Sequence, residues 1–139
     1  GKSTILDAIC LALYKKTPRM EQCKSEAYVD DSLTIIRNDE KQVIKVDDPR
    51  QYLRRGASEG SVFLTFEGND TKEYKACLSF GYTRTNNLKP VSWILETDGK
   101  IIDKDKDIES IVLKVTGLDF SQFFHYDTNK IYIIIAVVF

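Results

Sequence analysis

The first hydrophobic positions recur with the period of a helix. Ile5, Ile9 and Leu13 fall at i, i+4 and i+8, and Leu6 and Cys10 widen the stripe. One buried helical face is therefore expected from residue 3 to about residue 16. Pro18 is expected to end it, because the residue before a proline is pushed out of the helical region. Residues 17–60 hold no sustained period and read as polar and irregular, with a turn at Asp48-Pro49. From Ser61 the period falls to two. Val62, Leu64 and Phe66 alternate with Phe63, Thr65 and Glu67. After the turn chemistry of Gly68-Asn69-Asp70, residues Tyr74, Ala76, Leu78 and Phe80 alternate with Lys75, Cys77 and Ser79. Val91 to Glu96 is a third strand, Asp98-Gly99 a tight turn, and Ile101-Ile102 the return. The expected product is an antiparallel meander of three or four strands. A second helix is expected from about Lys104 to Thr116, with Ile108, Ile111, Val112 and Val115 on one face and Gly117 as its stop. From Phe124 the chain follows neither period.

The fold class is thus α+β, mixed helix and antiparallel sheet. A chain of 139 residues with 42% hydrophobic content can bury one domain-sized core. The net charge of −1 demands no nucleic-acid or membrane partner. Cys10, Cys23 and Cys77 are odd in number and lack C-x-x-C spacing, so they read as reduced thiols of a cytoplasmic protein. His125 has no partner for a metal and reads as a surface histidine. No signal peptide is visible, and the first residue is not methionine, which reads as a truncated start. The run from Ile131 to Phe139 is apolar but far short of the about 20 residues that span a bilayer. It reads as an aggregation-prone β segment.

The chemistry sits at the opening, Gly1-Lys2-Ser3-Thr4. A complete phosphate-binding loop reads G-x-x-x-x-G-K-[ST] and leads into a helix. Its backbone N–H groups wrap the phosphates, its lysine reaches the outer ones, and its hydroxyl residue ligates Mg²⁺. The helix N-terminus adds partial positive charge at the anion. Gly1, Lys2 and Ser3 fill the last three positions, with Lys2 as the phosphate lysine and Ser3 as the Mg²⁺ ligand. On this reading the chain starts inside its own site. Two other groups carry less. Arg50, Arg54 and Arg55 could touch phosphate or DNA, but a solvated loop explains them better. Ile94-Leu95-Glu96 could be a strand ending in a catalytic acid, but Asp98-Gly99 makes a hairpin turn the better account.

Gly1 to Tyr14, followed by Thr17-Pro18-Arg19, resembles the start of the SbcC subunit of the bacterial SbcCD nuclease. A second stretch, Val115-Thr116-Gly117-Leu118-Asp119-Phe120-Ser121-Gln122-Phe123, is similar to the T-G-L-D-[YF]-x-x-F segment of the same family. Arg54-Arg55-Gly56 before a strand and Asp98 to Ile102 before the second helix fit as well. The resemblance implies part of a P-loop ABC-type ATPase head of the structural-maintenance-of-chromosomes class. In such proteins two heads sandwich two ATP molecules, and their closure controls access of DNA to an SbcD nuclease subunit. Carried onto this chain, Gly1, Lys2, Ser3 and Thr4 contact ATP, and Ser3 holds Mg²⁺. The partners implied are an SbcD-like subunit, DNA and a second head, with no membrane.

Residues 1–123 then form a partial N-terminal lobe of the head, and 124–139 an atypical apolar tail. The family continues past the second stretch with x-R-[TS]-x-x-L-x-Q-G, whose glutamine meets Mg²⁺ and the attacking water. Here Phe124 to Ile131 does not match that pattern, and Gln122 lies ahead of it. A frameshift or join near Phe123, or a truncated product, would account for the change. No catalytic residue is assigned, and the fragment is expected to be inactive by itself. The alternatives are a small free-standing P-loop nucleotidase or kinase, which would turn over ATP alone, and a non-catalytic binding module.

Overall fold

The computed structural model describes residues 2–21, 32–37, 39–123 and 133–138, with backbone alone for 2–4 and 133–138. Helix α1 spans Lys2–Tyr14. A β1–β2 hairpin (Ser32–Arg37 and Glu40–Lys45) and a 3₁₀ turn at Pro49–Tyr52 follow. Strands β3 (Glu59–Glu67), β4 (Glu73–Gly81), β5 (Ser92–Thr97) and β6 (Lys100–Ile102) come next. Helix α2 covers Asp105–Thr116, the short helix α3 covers Phe120–Phe123, and strand β7 covers Ile133–Val138. The fold is mixed α/β with antiparallel sheets.

The meander expected from the period of two forms the main sheet. Its order is β6-β5-β4-β3-β7, and each neighbouring pair is antiparallel. Register follows the hydrophobic alternation: Val62 faces Leu78, Leu64 faces Ala76, and Phe66 faces Tyr74. All six are buried, while Phe63 on the opposite face of β3 is exposed. A slip of one residue would turn the whole buried set outward, so burial fixes the pairing. Asp98 and Gly99 have φ of 52° and 74°, the two left-handed residues of a primed two-residue hairpin turn.

Helices α1 and α2 cover the inner face of this sheet and close the core. Ile108, Val112 and Val115 of α2 are buried as the spacing requires, with Ile111 half-buried. Gly117 ends α2 in the left-handed region (φ 72°), where its N–H donates to the Leu113 carbonyl over 2.9 Å. Trp93 reaches from β5 to α1. Its indole N–H donates to the carbonyl of Ala12 over 2.8 Å, one of the last-turn carbonyls that the helix itself leaves unpaired.

Several expectations need correction. The segment 17–60 is not irregular throughout. Its weak alternation conceals the β1–β2 hairpin, paired from Ser32↔Lys45 to Arg37↔Glu40. Pro18 does not end α1. The helix stops at Tyr14 because Lys15 turns to φ 61°, and Pro18 instead opens a new helical turn. Thr17, fully buried, caps that turn by accepting from the Met20 N–H. Ile5 is 52% exposed rather than on the buried face. Burial of α1 runs along its axis: residues Ala8 to Leu13 are enclosed on every side, while Ile5 is exposed. The apolar tail, read as a β segment, does contain a strand, β7, which pairs with β3 from Ser61↔Val138 to Phe66↔Ile133. Cys10 and Cys77 are free thiols, as expected. Cys23 and His125 lie outside the described residues.

Candidate functional site

The α1 N-terminus is the place the sequence assigns to phosphate. Lys2, Ser3 and Thr4 form the first turn of the helix. Gly1 lies outside the described residues, as do the side chains of Lys2, Ser3 and Thr4. A helix of 13 residues presents unpaired N–H groups and the positive end of its dipole there. No acidic residue stands in that first turn to oppose an anion. Ile5 is exposed, and the run from Ala8 to Leu13 is buried. An ammonium, a hydroxyl and free backbone N–H groups are the donor set that a Mg²⁺-bound triphosphate needs, so the residues fit that ligand.

The environment behind this end is apolar. Burial, and secondarily the Asp7 carboxylate, pushes the Cys10 thiol up to about 12, so Cys10 stays protonated at neutral pH. Burial also raises the carboxyl of Asp7 above its ordinary range, against the opposing pull of Arg19. Cys10 thus serves as packing, not as a nucleophile.

The far end of α1 joins the second stretch of sequence. The Tyr14 hydroxyl donates to the Leu118 carbonyl over 2.8 Å. The Tyr14 ring meets Phe120 and Phe123 edge-on, with centroids 5.7 Å away in each case. Lys16 sits 4.7 Å over the Phe120 ring, and Lys15 pairs with Asp105 of α2 at 2.9 Å. Two segments a hundred residues apart in sequence therefore form one packed unit.

Asp119-Phe120-Ser121-Gln122 is a capping box for α3. Asp119 Oδ1 accepts from the Gln122 N–H at 2.8 Å, and Gln122 Oε1 accepts from the Asp119 N–H at 3.0 Å. The Gln122 N–H and the Ser121 hydroxyl hold the Asp119 carboxyl below its usual range. Gln122 is engaged in this local structure.

The arginine group separates. Arg50 is 4% exposed, not solvated. Its Nη1 meets both Asp48 oxygens at 3.0 Å, its Nε donates to the Gly81 carbonyl at 2.8 Å, and its Nη2 donates to the Lys89 carbonyl. It ties the 3₁₀ turn to the end of β4. Removing one partner of such a buried pair typically costs about 3–5 kcal/mol. The sequence signal for this was Asp48-Pro49-Arg50 itself, since Asp48 caps the turn through the Arg50 N–H with Pro49 at its first position. Arg54 and Arg55 are exposed, as a solvated loop requires. Glu96 is half-buried on β5 immediately before the hairpin turn. No group of three or more His, Cys, Asp or Glu suited to a metal occurs among the described residues. No helix of the described residues is long and apolar enough to cross a membrane.

A family model described as an AAA domain matches residues 1–136. The SbcC subunit of the nuclease SbcCD from Pseudomonas aeruginosa is 41% identical over 76 residues, which is 55% of this chain and 6% of that protein. The SbcC subunit of the same nuclease from Rhodobacter capsulatus is 33% identical over 129 residues, which is 88% of this chain and 10% of that protein. The chain spans a tenth or less of the length of these curated relatives. With a match over nearly its whole length, the chain belongs to the AAA domain family and is SbcC-like in sequence.

Proposed function

We propose that this chain forms part of the ATP-binding head of an SbcC-like subunit in a DNA double-strand-break repair nuclease. Gly1, Lys2, Ser3 and Thr4 take the phosphates of ATP, and Ser3 takes Mg²⁺. Held there, Mg²⁺ would supply positive charge that offsets the negative charge of the phosphates. Lys2 neutralises the outer phosphates, and the first-turn N–H groups of α1 orient them. In the parent complex the partners are an SbcD-like nuclease subunit, DNA and a second head, and the work is ATP-dependent control of DNA end processing in the cytoplasm. Residues 124–139 stand apart from the SbcC-like pattern in this proposal, although β7 extends the sheet.

The observation that carries the reading is the contact between the two SbcC-like stretches. Tyr14 of the first packs on Leu118, Phe120 and Phe123 of the second. A motif at one end and a match at the other could be coincidence in a chain where they lay apart. Packed together, they support one inherited unit, with the N-terminus of α1 as its proposed ligand site.

By itself the chain does not turn ATP over. Hydrolysis needs a positioned water and a group that orients it, and Gln122 is committed to its capping box. The test is phosphate release from ATP. The isolated chain is expected to stay at background. The whole product of its gene, mixed with its SbcD-like partner, is expected to hydrolyse ATP and to lose that activity on Lys2→Ala. Steady turnover by the isolated chain would instead establish a free-standing nucleotidase.

A further inference from the structure

The β1–β2 hairpin is a sheet of its own, separate from the five-stranded one. By register, one face carries Leu33, Ile35 and Arg37 of β1 with Gln42 and Ile44 of β2. Side chains rather than a shared ladder hold that face to the main body. Arg37 donates to the Ala57 carbonyl at 2.6 Å and to Asn86 Oδ1 at 3.3 Å, and its guanidinium lies 3.8 Å from the Tyr82 ring centroid. The Arg55–Asp39 ion pair at 3.0 Å is exposed and adds little. Ile44 and Val46 are buried but stand outside the cluster that forms the main core.

This seam leaves polar atoms unmet. Arg37 Nε, Gln42 Oε1, Gln51 Oε1 and the Tyr82 hydroxyl are buried with no hydrogen-bond partner among the described residues. They come from β1, β2, the 3₁₀ turn and the end of β4 respectively. Tyr82 belongs to the main body, since its N–H donates to the Ser58 carbonyl at 2.8 Å. Gln51 Nε2 is committed to the carbonyls of Val46 and Asp48 at 2.8 and 3.0 Å, which fixes the orientation of its amide. Around α1, by contrast, the buried Thr17 hydroxyl and Trp93 N–H are bonded, to Tyr52 and to Ala12. Buried polar atoms are nearly always bonded. One that is not has given up its hydration for nothing. Lifting the hairpin away returns water to these atoms, so the seam parts more readily than its burial alone would allow.

We infer that the β1–β2 hairpin is a strap that opens as a unit while α1, α2 and the main sheet stay folded. Its ladder is internal, so no strand of the main sheet loses a hydrogen-bonded neighbour when it leaves. A two-stranded hairpin is marginal by itself in water, so its own ladder frays once it has lifted. Opening uncovers the Tyr82 ring and, 5.7 Å from its centroid, the Arg50 guanidinium that ties the 3₁₀ turn to β4. The strap thus controls exposure of that end of the main sheet. It is separate from the α1 N-terminus and does not depend on ATP binding there.

The test is amide hydrogen exchange of the whole gene product, read by mass spectrometry on peptides covering residues 32–45 and 59–81. The hairpin is expected to exchange at least about tenfold faster than β3 and β4, as a unit that opens below the global transition. Removing an unmet atom should close the strap. Tyr82→Phe and Gln42→Leu should each slow hairpin exchange about tenfold, the worth of one unmet buried polar group, and leave β3 and β4 unchanged. A seam bridged by fixed water would respond the opposite way, with faster hairpin exchange in both variants. The proposal is overturned if hairpin and main sheet exchange together in the parent protein. It is equally overturned by unchanged or faster hairpin exchange in either variant that keeps its β3–β4 protection, or by slowing that β3 and β4 share.

Discussion

Cys10 shows how a single side chain reports the state of the core. It is fully buried in α1, and burial followed by the Asp7 charge raises its thiol from 9.0 to about 12. A group whose folded pKa lies above its unfolded value stabilises the fold below the unfolded pKa. That contribution is lost as pH rises through the folded pKa. Between pH 9.0 and about 12 the unfolded chain sheds the Cys10 proton while the folded chain keeps it. Stability should fall there by up to about 1.4 kcal/mol per pH unit from this group alone. Urea unfolding at about pH 8 and about pH 10 reads the decline directly. Cys10→Ala should flatten it relative to the parent chain. Tyr14, pushed by burial from 10.0 up to about 12, adds a decline that begins a unit higher and survives the substitution. An equally steep fall from pH 9 in Cys10→Ala would contradict the assignment.

At the scale of elements, caps and turns fix the ends of helices whose middles are fixed by packing. Asp119 and Gln122 satisfy each other's N–H groups at the start of α3. Asp119→Ala should cost about 0.5–2 kcal/mol, the usual worth of an N-cap. Thermal or urea unfolding measures it, and Asp119→Asn should recover most of the loss because the amide oxygen also accepts. The elements with strong periods were legible: β3, β4 and β5 from alternation, α2 from its 3.6-residue spacing and Gly117, the β5–β6 turn from Asp98-Gly99. The β1–β2 hairpin was not, because Ile35-Ile36 and Val43-Ile44 are adjacent pairs that break the alternation. Both members of each pair cannot point inward, and Ile36 and Val43 are indeed exposed. The available signal was Asn38-Asp39 between two β-branched runs. Ile5 misled for another reason. Helical spacing shows which side of a helix is apolar, not how far along its axis the sheet extends. Arg50 looked solvated because sequence shows its charge, and only the fold shows the carbonyls of Gly81 and Lys89 that receive it.

For the whole molecule, the sheet and two helices hold α1 by its buried half, Ala8 to Leu13. The helix behind Gly1-Lys2-Ser3-Thr4 was legible from its apolar spacing, and the phosphate chemistry of those four residues remains the proposal. What the sequence could not show was that Tyr14, ten residues beyond Thr4, anchors the same helix to the second SbcC-like stretch. That contact joins the first helix and the second SbcC-like stretch in one body. Everything proposed for the molecule turns on Lys2 and Ser3 binding ATP with Mg²⁺. An equilibrium titration of the whole gene product with a fluorescent ATP analogue decides it, run with Mg²⁺ and with a chelator, in the native sequence and in Lys2→Ala. Saturable binding is predicted that weakens on chelation and falls at least about tenfold in Lys2→Ala, the loss of one charge-assisted contact. Binding that is indifferent to both Mg²⁺ and Lys2 would contradict it.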